Sequence, residues 1–523
     1  MKRIRRMRRA GYVAAILCAL LMALGLSAND ARAAEELQLP RVISDHMVLQ
    51  CAADVPLWGW ASPGAEVEVS LAGETATTTA NDDGRWRVTL STPYPSGSHT
   101  LVAKSGDETV RVEDVLFGEV WLASGQSNME WPLNNTKTGD EAIENADIPD
   151  IRFFKVPHNA QIAPQDRLPD GAWQKMNPEV AGGYSAVAFF FARFMHRKLN
   201  TPVGIIQSAW GGTPAQAWTP REGLADTGEL TRYLDQLRGL EQQHDDLIKN
   251  WEKYRDEWQN AYWSYRREMR RFQQGERDKR PEEPEVNLRI SHLPTALYNG
   301  MIHPLIPYRI RGSIWYQGES NAHDSAAKEY ATLFSTMIRQ WRAKWNRGQF
   351  PFLFVQLPEW KPGGEAWCHL RESQRRTTLQ VANSAMVTTL GLGHPEDIHP
   401  KHKEPVGRRL GYAALAKAHG MAATWSGPLL TSAVRHDGKV RLNFDLVNGG
   451  LKAGDEGLKG FELSADGQNW KKAEARIEGD NLIVSSPDVE EPAHVRYAWG
   501  SMAEASLFNE LDLPASPFIE EVE

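Results

Sequence analysis

Short alternating runs of apolar and polar residues occupy the two ends of the chain. Between about residues 36 and 115, period-two segments are separated by turn-forming residues, and the segments are 57–60, 67–71 and 86–90. This pattern predicts a small β-sandwich. Strand-like segments return after about residue 422, among them 440–444 and 481–485, and predict a second, C-terminal β-domain.

Longer apolar runs alternate with helical stretches in the middle of the chain, from Gly118 onwards. The strand-like runs are 203–206, 312–316, 351–357 and 386–390. Helical periodicity covers 186–199 and 326–345. Repetition of strand, helix and strand predicts an α/β domain, in which a parallel sheet carries helices on both faces.

An insertion interrupts this alternation between about 221 and 290. Aromatic and apolar residues recur at steps of three and four from Trp251 to Phe272 amid dense charge, which predicts an amphipathic helix and one arm of a helical hairpin. Its aromatic stripe is either a packing surface, which we expect, or a sugar-stacking platform. The pattern thus predicts domains at 34–115, 116–421 and 422–523.

The first 33 residues form a separate segment. Six basic residues precede an apolar stretch at 12–26, and Ala31-Arg32-Ala33 follows as a small-x-small site. This order predicts a secretory signal peptide at 1–33, with an uncleaved anchor as the alternative. We therefore expect an exported protein, periplasmic or secreted.

Composition describes a globular chain of 523 residues, 41% hydrophobic and 24% charged, long enough for two to four domains. The predicted signal carries seven basic residues and one acidic residue, so its removal lowers the net charge from −8 to −14. An acidic protein has no electrostatic reason to bind nucleic acid or an anionic membrane. Cys51 and Cys368 remain after cleavage, and we expect two free buried thiols rather than a bridge.

The segment 123–132, ASGQSNMEWP, contains the candidate nucleophile. Ser127 stands where an apolar strand would pass into a helix, with a small-residue turn before it. Such a hydroxyl can point into a cleft that also faces the amides of the helix N-terminus. An ordinary capped strand-to-helix turn is the alternative.

A serine needs a base, and His399 in the segment PEDIHP is the strongest candidate. It lies in the loop after a predicted strand, and a doubly wound sheet binds its ligands outside the carboxyl ends of its strands. Asp397 or Glu396 supplies a carboxylate to orient the imidazole. His394 and His402 lie close by, but their spacing fits no common zinc pattern, so we predict no metal and no cofactor.

Two glycine-bearing turns after later strands complete a candidate oxyanion hole. In Trp210-Gly211-Gly212-Thr213-Pro214 a backbone N–H can approach the developing charge. In the segment YQGESN, 316–321, the side chain of Gln317 or Asn321 can donate.

The segments GQSNMEWP, SAWGGTPAQAW, YNGMIHPL, WYQGESNA and DIHPKHKEPVGRRL together resemble the sialate O-acetylesterase family of SGNH-type serine esterases, over roughly residues 36 to 518. The resemblance implies a flavodoxin-like, three-layer catalytic domain flanked by β-sandwich-like domains. It also implies removal of acetyl groups from sugars through an acyl-serine intermediate. GQSNM differs from the G-x-S-x-G elbow of α/β-hydrolases.

By this resemblance Ser127 is the nucleophile and also an oxyanion donor, Gly212 is a second donor, and His399 is the base. Relatives often carry an Asp three residues before the histidine, where this chain has Glu396; Asp397 lies two before. The substrate expected is an O-acetylated saccharide. The alternatives are an acetylesterase for xylan, pectin or algal glycans, and a non-catalytic glycan-binding protein.

Overall fold

The computed structural model describes residues 36–243, 249–284 and 289–523. The predicted signal peptide lies outside the described residues. The chain divides into two compact units. Within the described residues, the smaller unit comprises 36–39, 57–90 and 101–111, and the larger comprises 40–56, 91–100 and 112–523. The domain boundaries expected from the sequence stay a prediction.

The first strands of the chain are β1 (Val48–Gln50), β2 (Ala53–Trp60), β3 (Glu66–Leu71), β4 (Glu74–Thr79), β5 (Arg85–Thr92), β6 (His99–Ser105) and β7 (Glu108–Gly125). In the smaller unit β3 lies between β4 and β6, antiparallel to both. Burial alternates residue by residue along β5, with Trp86, Val88 and Leu90 inside. The period-two pattern predicted for this region is therefore confirmed.

A mixed sheet forms the centre of the larger unit. Its further strands are β8 (Ile148–Lys155), β9 (Trp173–Met176), β10 (Val203–Ala209), β11 (Gly312–Tyr316), β12 (Phe352–Val355) and β13 (Ser384–Val387). The strand order is β13-β12-β11-β7-β10-β8-β9, and only β9 is antiparallel to its neighbour. Strands β10 to β13 are buried along their whole length, because both faces of the sheet are covered.

The helices with described bounds are α1 (Ser127–Glu130), α2 (Gly139–Glu144), α3 (Ala186–Leu199), α4 (Arg221–Asp226), α5 (Thr231–Gln243), α6 (Trp251–Gln273), α7 (Ala326–Trp345), α8 (Gly364–Gln380) and α9 (Glu404–His419). Trp121 of β7 contacts Phe191 of α3, with ring centroids 5.1 Å apart. Trp315 of β11 points to the other face and stacks on Phe334 of α7 at 5.9 Å. Helices therefore cover both faces, and the predicted α/β architecture is confirmed.

The insertion is helical, as predicted. Its longest helix, α6, covers the aromatic stripe. Trp251 at its start is buried and donates its indole N–H to the carbonyl of Ala160 at 3.3 Å. Trp263, beside the stripe, is 38% exposed.

Antiparallel sheets make up the end of the chain. Their strands are β14 (Leu429–His436), β15 (Lys439–Asp445), β16 (Leu451–Ala453), β17 (Phe461–Ser464), β18 (Lys471–Lys472), β19 (Glu474–Glu478), β20 (Asn481–Ser485), β21 (His494–Tyr497), β22 (Leu507–Asn509) and β23 (Phe518–Glu521). Two four-stranded sheets and a two-stranded one share an apolar core that includes Leu442, Leu463 and Tyr497. These sheets are consistent with the predicted C-terminal β-domain.

Cys51 and Cys368 are both free and buried, as expected. Across the part of the chain that the structure describes, every helix is too short or too polar to cross a membrane.

Candidate active site

The candidate site lies at the carboxyl ends of three neighbouring strands. The last residue of β7, Gly125, is paired with Ala209 at the end of β10 and with Tyr316 at the end of β11. The turns that follow these strands must therefore emerge side by side. Counted in chain order, the six parallel strands β7, β8, β10, β11, β12 and β13 run 2-3-1-4-5-6 across the sheet, so the winding direction changes between β7 and β11. A crevice at such a reversal is where α/β sheets bind ligands.

The turn after β7 presents Ser127. Gly125 has φ +136°, and a Cβ there would collide with the carbonyl oxygen of Tyr316, so only glycine fits. The Gln126 N–H donates to that same carbonyl at 3.0 Å, and the Trp210 N–H donates to the Gly125 carbonyl at 3.1 Å. The chain then enters α1, whose first residue is Ser127. The nucleophile candidate is thus fixed by backbone bonds to both neighbouring strands.

The loop between β13 and α9 brings His399 to Ser127. The imidazole Nε2 lies 2.8 Å from the Ser127 Oγ. The ring is stacked on Trp131, with centroids 4.8 Å apart and an interplanar angle of 18°. Burial lowers the pKa of His399 and the nearby Lys403 ammonium lowers it further, whereas Asp397 opposes them. A lowered pKa favours the neutral imidazole near pH 7, and with its proton on Nδ1 the ring has a free Nε2 lone pair that can accept the serine proton.

The two candidate acids are placed differently. The Asp397 Oδ1 lies 3.7 Å from the His399 Nδ1, too far for a hydrogen bond, and it accepts the backbone N–H of His399 at 2.9 Å. Glu396 is exposed, and its backbone N–H donates to the Nδ1 of His394 at 3.2 Å. Of the two, Asp397 is therefore the carboxylate that contacts the histidine, through the backbone and through space.

Glu359, after β12, holds the first part of the histidine loop. It is only 8% exposed, and its carboxylate accepts the N–H groups of Gly391 and Gly393. Further along, the His394 Nδ1 accepts the Asp397 N–H at 3.0 Å as well as that of Glu396. The loop that carries His399 is therefore organised by these side chains and by backbone hydrogen bonds to neighbouring segments, and by no regular element.

The Gly211–Gly212 turn after β10 lies against Ser127. A Cβ on Gly211 would be 3.4 Å from the Ser127 Cβ, and its N–H donates to Glu130 of α1 at 2.6 Å. Arg289 donates from Nη2 to the Gly211 carbonyl at 3.3 Å. Because a trans peptide directs its carbonyl and N–H to opposite sides, the Gly212 N–H points away from Arg289. Gly212 itself has φ +70°, and a Cβ would collide with the guanidinium.

Gln317 and Asn321 lie beneath this turn, and both are fully buried. The Gln317 Nε2 donates to the Thr213 carbonyl at 3.2 Å and to the Asn321 Oδ1 at 2.8 Å. Asn321 also accepts the Ala215 N–H at 2.9 Å and donates to Gln216 at 3.0 Å. In this structure the two amides hold the glycine turn in place, and their direct role as oxyanion donors stays a prediction.

Sequence reasoning brought forward the serine, the histidine and the glycine turn, and the structure places them together. It missed Trp131, Glu359 and Arg289 as neighbours of the site. Trp131 lies within the ASGQSNMEWP segment, so its closeness to Ser127 was a usable signal. Glu359 and Arg289 follow no motif, and only the fold brings them to the site. Among the described residues, no group of three or more histidine, cysteine, aspartate or glutamate side chains could hold a metal ion.

Comparison with known proteins gives matches to the part of the chain that contains the candidate site. Residues 118–416 match the family model of a carbohydrate esterase, the sialic acid-specific acetylesterase. The sialate O-acetylesterase of Mus musculus is 27% identical over 534 residues, covering 92% of this chain and 93% of the mouse protein. The human sialate O-acetylesterase is 28% identical and covers 91% of each chain.

A solved structure is also similar over nearly the whole chain. The crystal structure of a carbohydrate acetylesterase from Xanthomonas citri matches with a TM-score of 0.77 and 36% identity. The match covers 92% of this chain and 99% of that one.

Proposed function

The chain belongs to the carbohydrate esterase family of sialic acid-specific acetylesterases, which remove O-acetyl groups from sugars, and we propose that it does so through an acetyl-serine intermediate on Ser127. The observation that carries the mechanism is the 2.8 Å contact between the Ser127 Oγ and the His399 Nε2. A hydroxyl in that position can lose its proton to the imidazole as it attacks. We further propose that the domain has the flavodoxin-like SGNH architecture, which is supported by the 2-1-3-4-5 order of β7, β10, β11, β12 and β13, with β8 added beyond β10.

In the first half of the reaction, the Ser127 Oγ forms a bond to the acetyl carbonyl carbon while the His399 Nε2 takes the serine proton. The carbonyl oxygen becomes an oxyanion, which the N–H groups of Ser127 and Gly212 stabilise. Each such donor is typically worth about 10²–10³ in rate. The bond to the sugar oxygen then breaks, and the imidazolium returns the proton to that oxygen, releasing the free sugar hydroxyl.

In the second half, water replaces the sugar. His399 takes a proton from the water as its oxygen attacks the acetyl-serine carbonyl, and the same donors stabilise the second oxyanion. Collapse releases acetic acid, which ionises to acetate in solution, and the proton on His399 returns to the Ser127 Oγ. Asp397 assists by holding the His399 backbone and by stabilising the imidazolium through space.

For the substrate, we propose an O-acetylated sialic acid. The relatives named sialate O-acetylesterase align over more than nine-tenths of both chains. In addition, the Arg289 guanidinium places positive charge beside the Gly211–Gly212 turn, and it lies 5.2 Å from the ring centroid of Trp263 on α6. A guanidinium can bind the carboxylate of an acidic sugar, and the aromatic ring beside it attracts and holds the guanidinium. An acetylated neutral polysaccharide is the second candidate, favoured by the general name of the Xanthomonas enzyme.

The mechanism is tested by replacing Ser127 with alanine and following hydrolysis of p-nitrophenyl acetate. We expect wild-type protein quenched in acid to carry an acetyl group on the peptide with Ser127, and the variant to be acetylated at no residue and inactive. Equal turnover by the two proteins would refute the acetyl-serine mechanism and would leave the glycan-binding alternative in its place.

The substrate is tested with a matched pair, acetylated sialic acid and its methyl ester, beside acetylated xylan. Only the carboxylate differs within the pair. We expect kcat/KM to be highest for the free acid, because the ester removes the charge that Arg289 attracts. Equal rates on the pair with faster release from xylan would favour the polysaccharide.

We also propose that the protein is exported to the periplasm or the medium, on the strength of the signal-like sequence at 1–33. Expression of the full chain followed by N-terminal sequencing tests this, with cleavage before Ala34 expected.

A further inference from the structure

Three polar side chains, two of them buried and one half-buried, lie behind the candidate nucleophile and base, and the mechanism above does not use them. They are Asn128 of α1, Glu319 in the helical turn after β11, and Lys403, the residue before α9. Asn128 is fully enclosed and Lys403 is 1% exposed. We refer to Asn128, Glu319 and Lys403 as the buried bracket.

Asn128 connects the two halves of the site. Its Nδ2 donates to the Ile398 carbonyl at 3.0 Å and to the Glu319 Oε1 at 2.5 Å. Its Oδ1 accepts a hydrogen bond from the Lys403 ammonium. Asn128 follows Ser127 in the chain, and Ile398 precedes His399. One amide thus joins the residue after the nucleophile to the residue before the base.

The partners of this amide determine its orientation. A lysine ammonium can only donate hydrogen bonds, and a carboxylate can only accept them. Lys403 therefore selects the oxygen end of Asn128, and Glu319 selects the nitrogen end. If the amide were reversed, its nitrogen would face the Lys403 ammonium, another donor, and its oxygen would face the Glu319 carboxylate, another acceptor. These groups would then be left without hydrogen bonds.

Lys403 also faces the aromatic side of the site. Its Nζ lies 5.3 Å from the ring centroid of Tyr316 and 5.9 Å from that of Trp131, and Trp131 stacks on His399. The Glu319 Oε2 is buried and has no hydrogen-bond partner in the described part of the chain. Burying a lysine and a carboxylate with an unpaired oxygen is costly for stability, and such costs are concentrated at functional sites.

We propose that Lys403 is a positioning residue, which with Glu319 orients Asn128 so that the nucleophile turn and the histidine loop are held at the separation that the Ser127–His399 contact requires. The inference rests on the acetyl-serine mechanism proposed above. It adds three residues to the machinery that neither the motifs nor the comparisons assign.

The charge on Lys403 has a second consequence for the base. The charged and titratable groups that face Lys403 are Glu319, Asp397, His399 and the phenol of Tyr316. Burial lowers the pKa of Lys403 to about 7, although Glu319 and Asp397 oppose the shift. Burial raises the pKa of Glu319, which the Asn128 hydrogen bond and Lys403 oppose. Below pH 7 the charged ammonium therefore disfavours protonation of His399 and keeps the base active in more acidic solution.

The main test replaces Lys403 with methionine in the full chain, with Lys401→Met as the control, since Lys401 is an exposed lysine of the same loop. Loss of the bracket allows Ser127 and His399 to move apart, and we expect kcat on p-nitrophenyl acetate to fall by on the order of 10²-fold with little change in KM. We also expect the acid limb of the kcat/KM profile to move to higher pH, because the pKa of His399 is no longer lowered by the ammonium. The control should match wild type in both.

A purely structural lysine would lower activity without moving the acid limb. If folded Lys403→Met protein keeps the acid limb of its kcat/KM profile at the wild-type pH, or keeps the wild-type kcat, the proposal is overturned. Should that variant fail to fold, Glu319→Gln and Glu319→Ala decide. Glutamine keeps an acceptor for the Asn128 Nδ2, so we expect it to retain most of kcat, whereas alanine loses at least about tenfold. Equal kcat for these two variants contradicts the bracket.

A measurement without turnover separates this inference from the mechanism. In a Ser127→Ala background, the His399 ring is titrated by NMR, its signal assigned by its loss in His399→Asn. Adding Lys403→Met should raise the His399 pKa. An unchanged pKa would overturn the inference, as an unmoved acid limb would, while residual activity of Ser127→Ala would instead refute the acetyl-serine mechanism.

Discussion

Two of the strand-end segments that build the site, the nucleophile turn and the histidine loop, are held in different ways. The turn 125–127 is short, and backbone hydrogen bonds to β10 and β11 fix it at a glycine that admits no side chain. The loop 388–403 is long and depends on Glu359, His394, Asp397 and Asn128 for its shape. The proposed nucleophile is thus placed by backbone bonds to the sheet, whereas the proposed base is placed mainly by side chains of its own loop and by two distant residues, Glu359 and Asn128. Substitutions should therefore damage the two segments in different ways.

The largest effect is expected from the base itself. His399→Asn removes the proposed proton acceptor of Ser127, and we expect kcat to fall by at least about 10⁴-fold while the free energy of unfolding hardly changes. His402→Asn, an exposed histidine of the same loop, serves as the control. Similar losses in the two variants would show that the loop, and not the base, was disturbed.

Gly125→Ala tests the nucleophile turn. The added Cβ collides with the Tyr316 carbonyl at a φ that alanine rarely adopts. We expect a loss of at least about 2 kcal/mol in unfolding free energy and a fall in kcat on the order of 10²-fold. Gly364→Ala, also at positive φ but with open space around it, is the control for the backbone strain alone. Denaturant unfolding and p-nitrophenyl acetate kinetics measure both, and a stability equal to wild type would contradict the tight turn.

Glu359→Gln tests the histidine loop. The amide nitrogen would meet one of the glycine N–H groups that the carboxylate now accepts, leaving a buried donor unpaired. We expect a loss of about 1–3 kcal/mol and about a tenfold lower kcat/KM. Exposed Glu365 offers a control substitution to glutamine. Unchanged kcat/KM would mean that the loop keeps its shape without this carboxylate.

The smallest effect on kcat is expected from substitution of Asp397, the candidate acid. Asp397→Asn keeps an acceptor for the His399 N–H and removes only the charge, so kcat should fall less than about tenfold. The Asp397 charge raises the pKa of His399, and its removal should move the acid limb of the pH profile to lower pH. Glu396→Gln should leave the acid limb of the pH profile at its wild-type position. A larger loss for Glu396→Gln than for Asp397→Asn would make Glu396 the functional acid.

Much of the site could be predicted because it follows from local chemistry. A serine in a small-residue turn after an apolar strand, a histidine after the last strand and a double glycine after a third are visible in the residues themselves. The helices 186–199 and 326–345 were predicted with the bounds that the structure shows, since their apolar periodicity is strong. The roles of the other site residues carried no local signal. Glu359 and Arg289 lie outside the motifs, and Lys403, although it lies within DIHPKHKEPVGRRL, acts only through partners far away in the chain.

The sequence alone therefore determined the alternation of strands and helices, the candidate nucleophile, base and glycine turn, and the resemblance to carbohydrate acetylesterases. Only the tertiary structure determined which strands end side by side, that Asp397 rather than Glu396 contacts the histidine, and that a buried asparagine joins the two halves of the site. The physical reason is the range of the interactions. Periodicity and turn chemistry act over a few residues, whereas hydrogen bonds such as Asn128 to Ile398 span 270 positions and exist only once the sheet has formed.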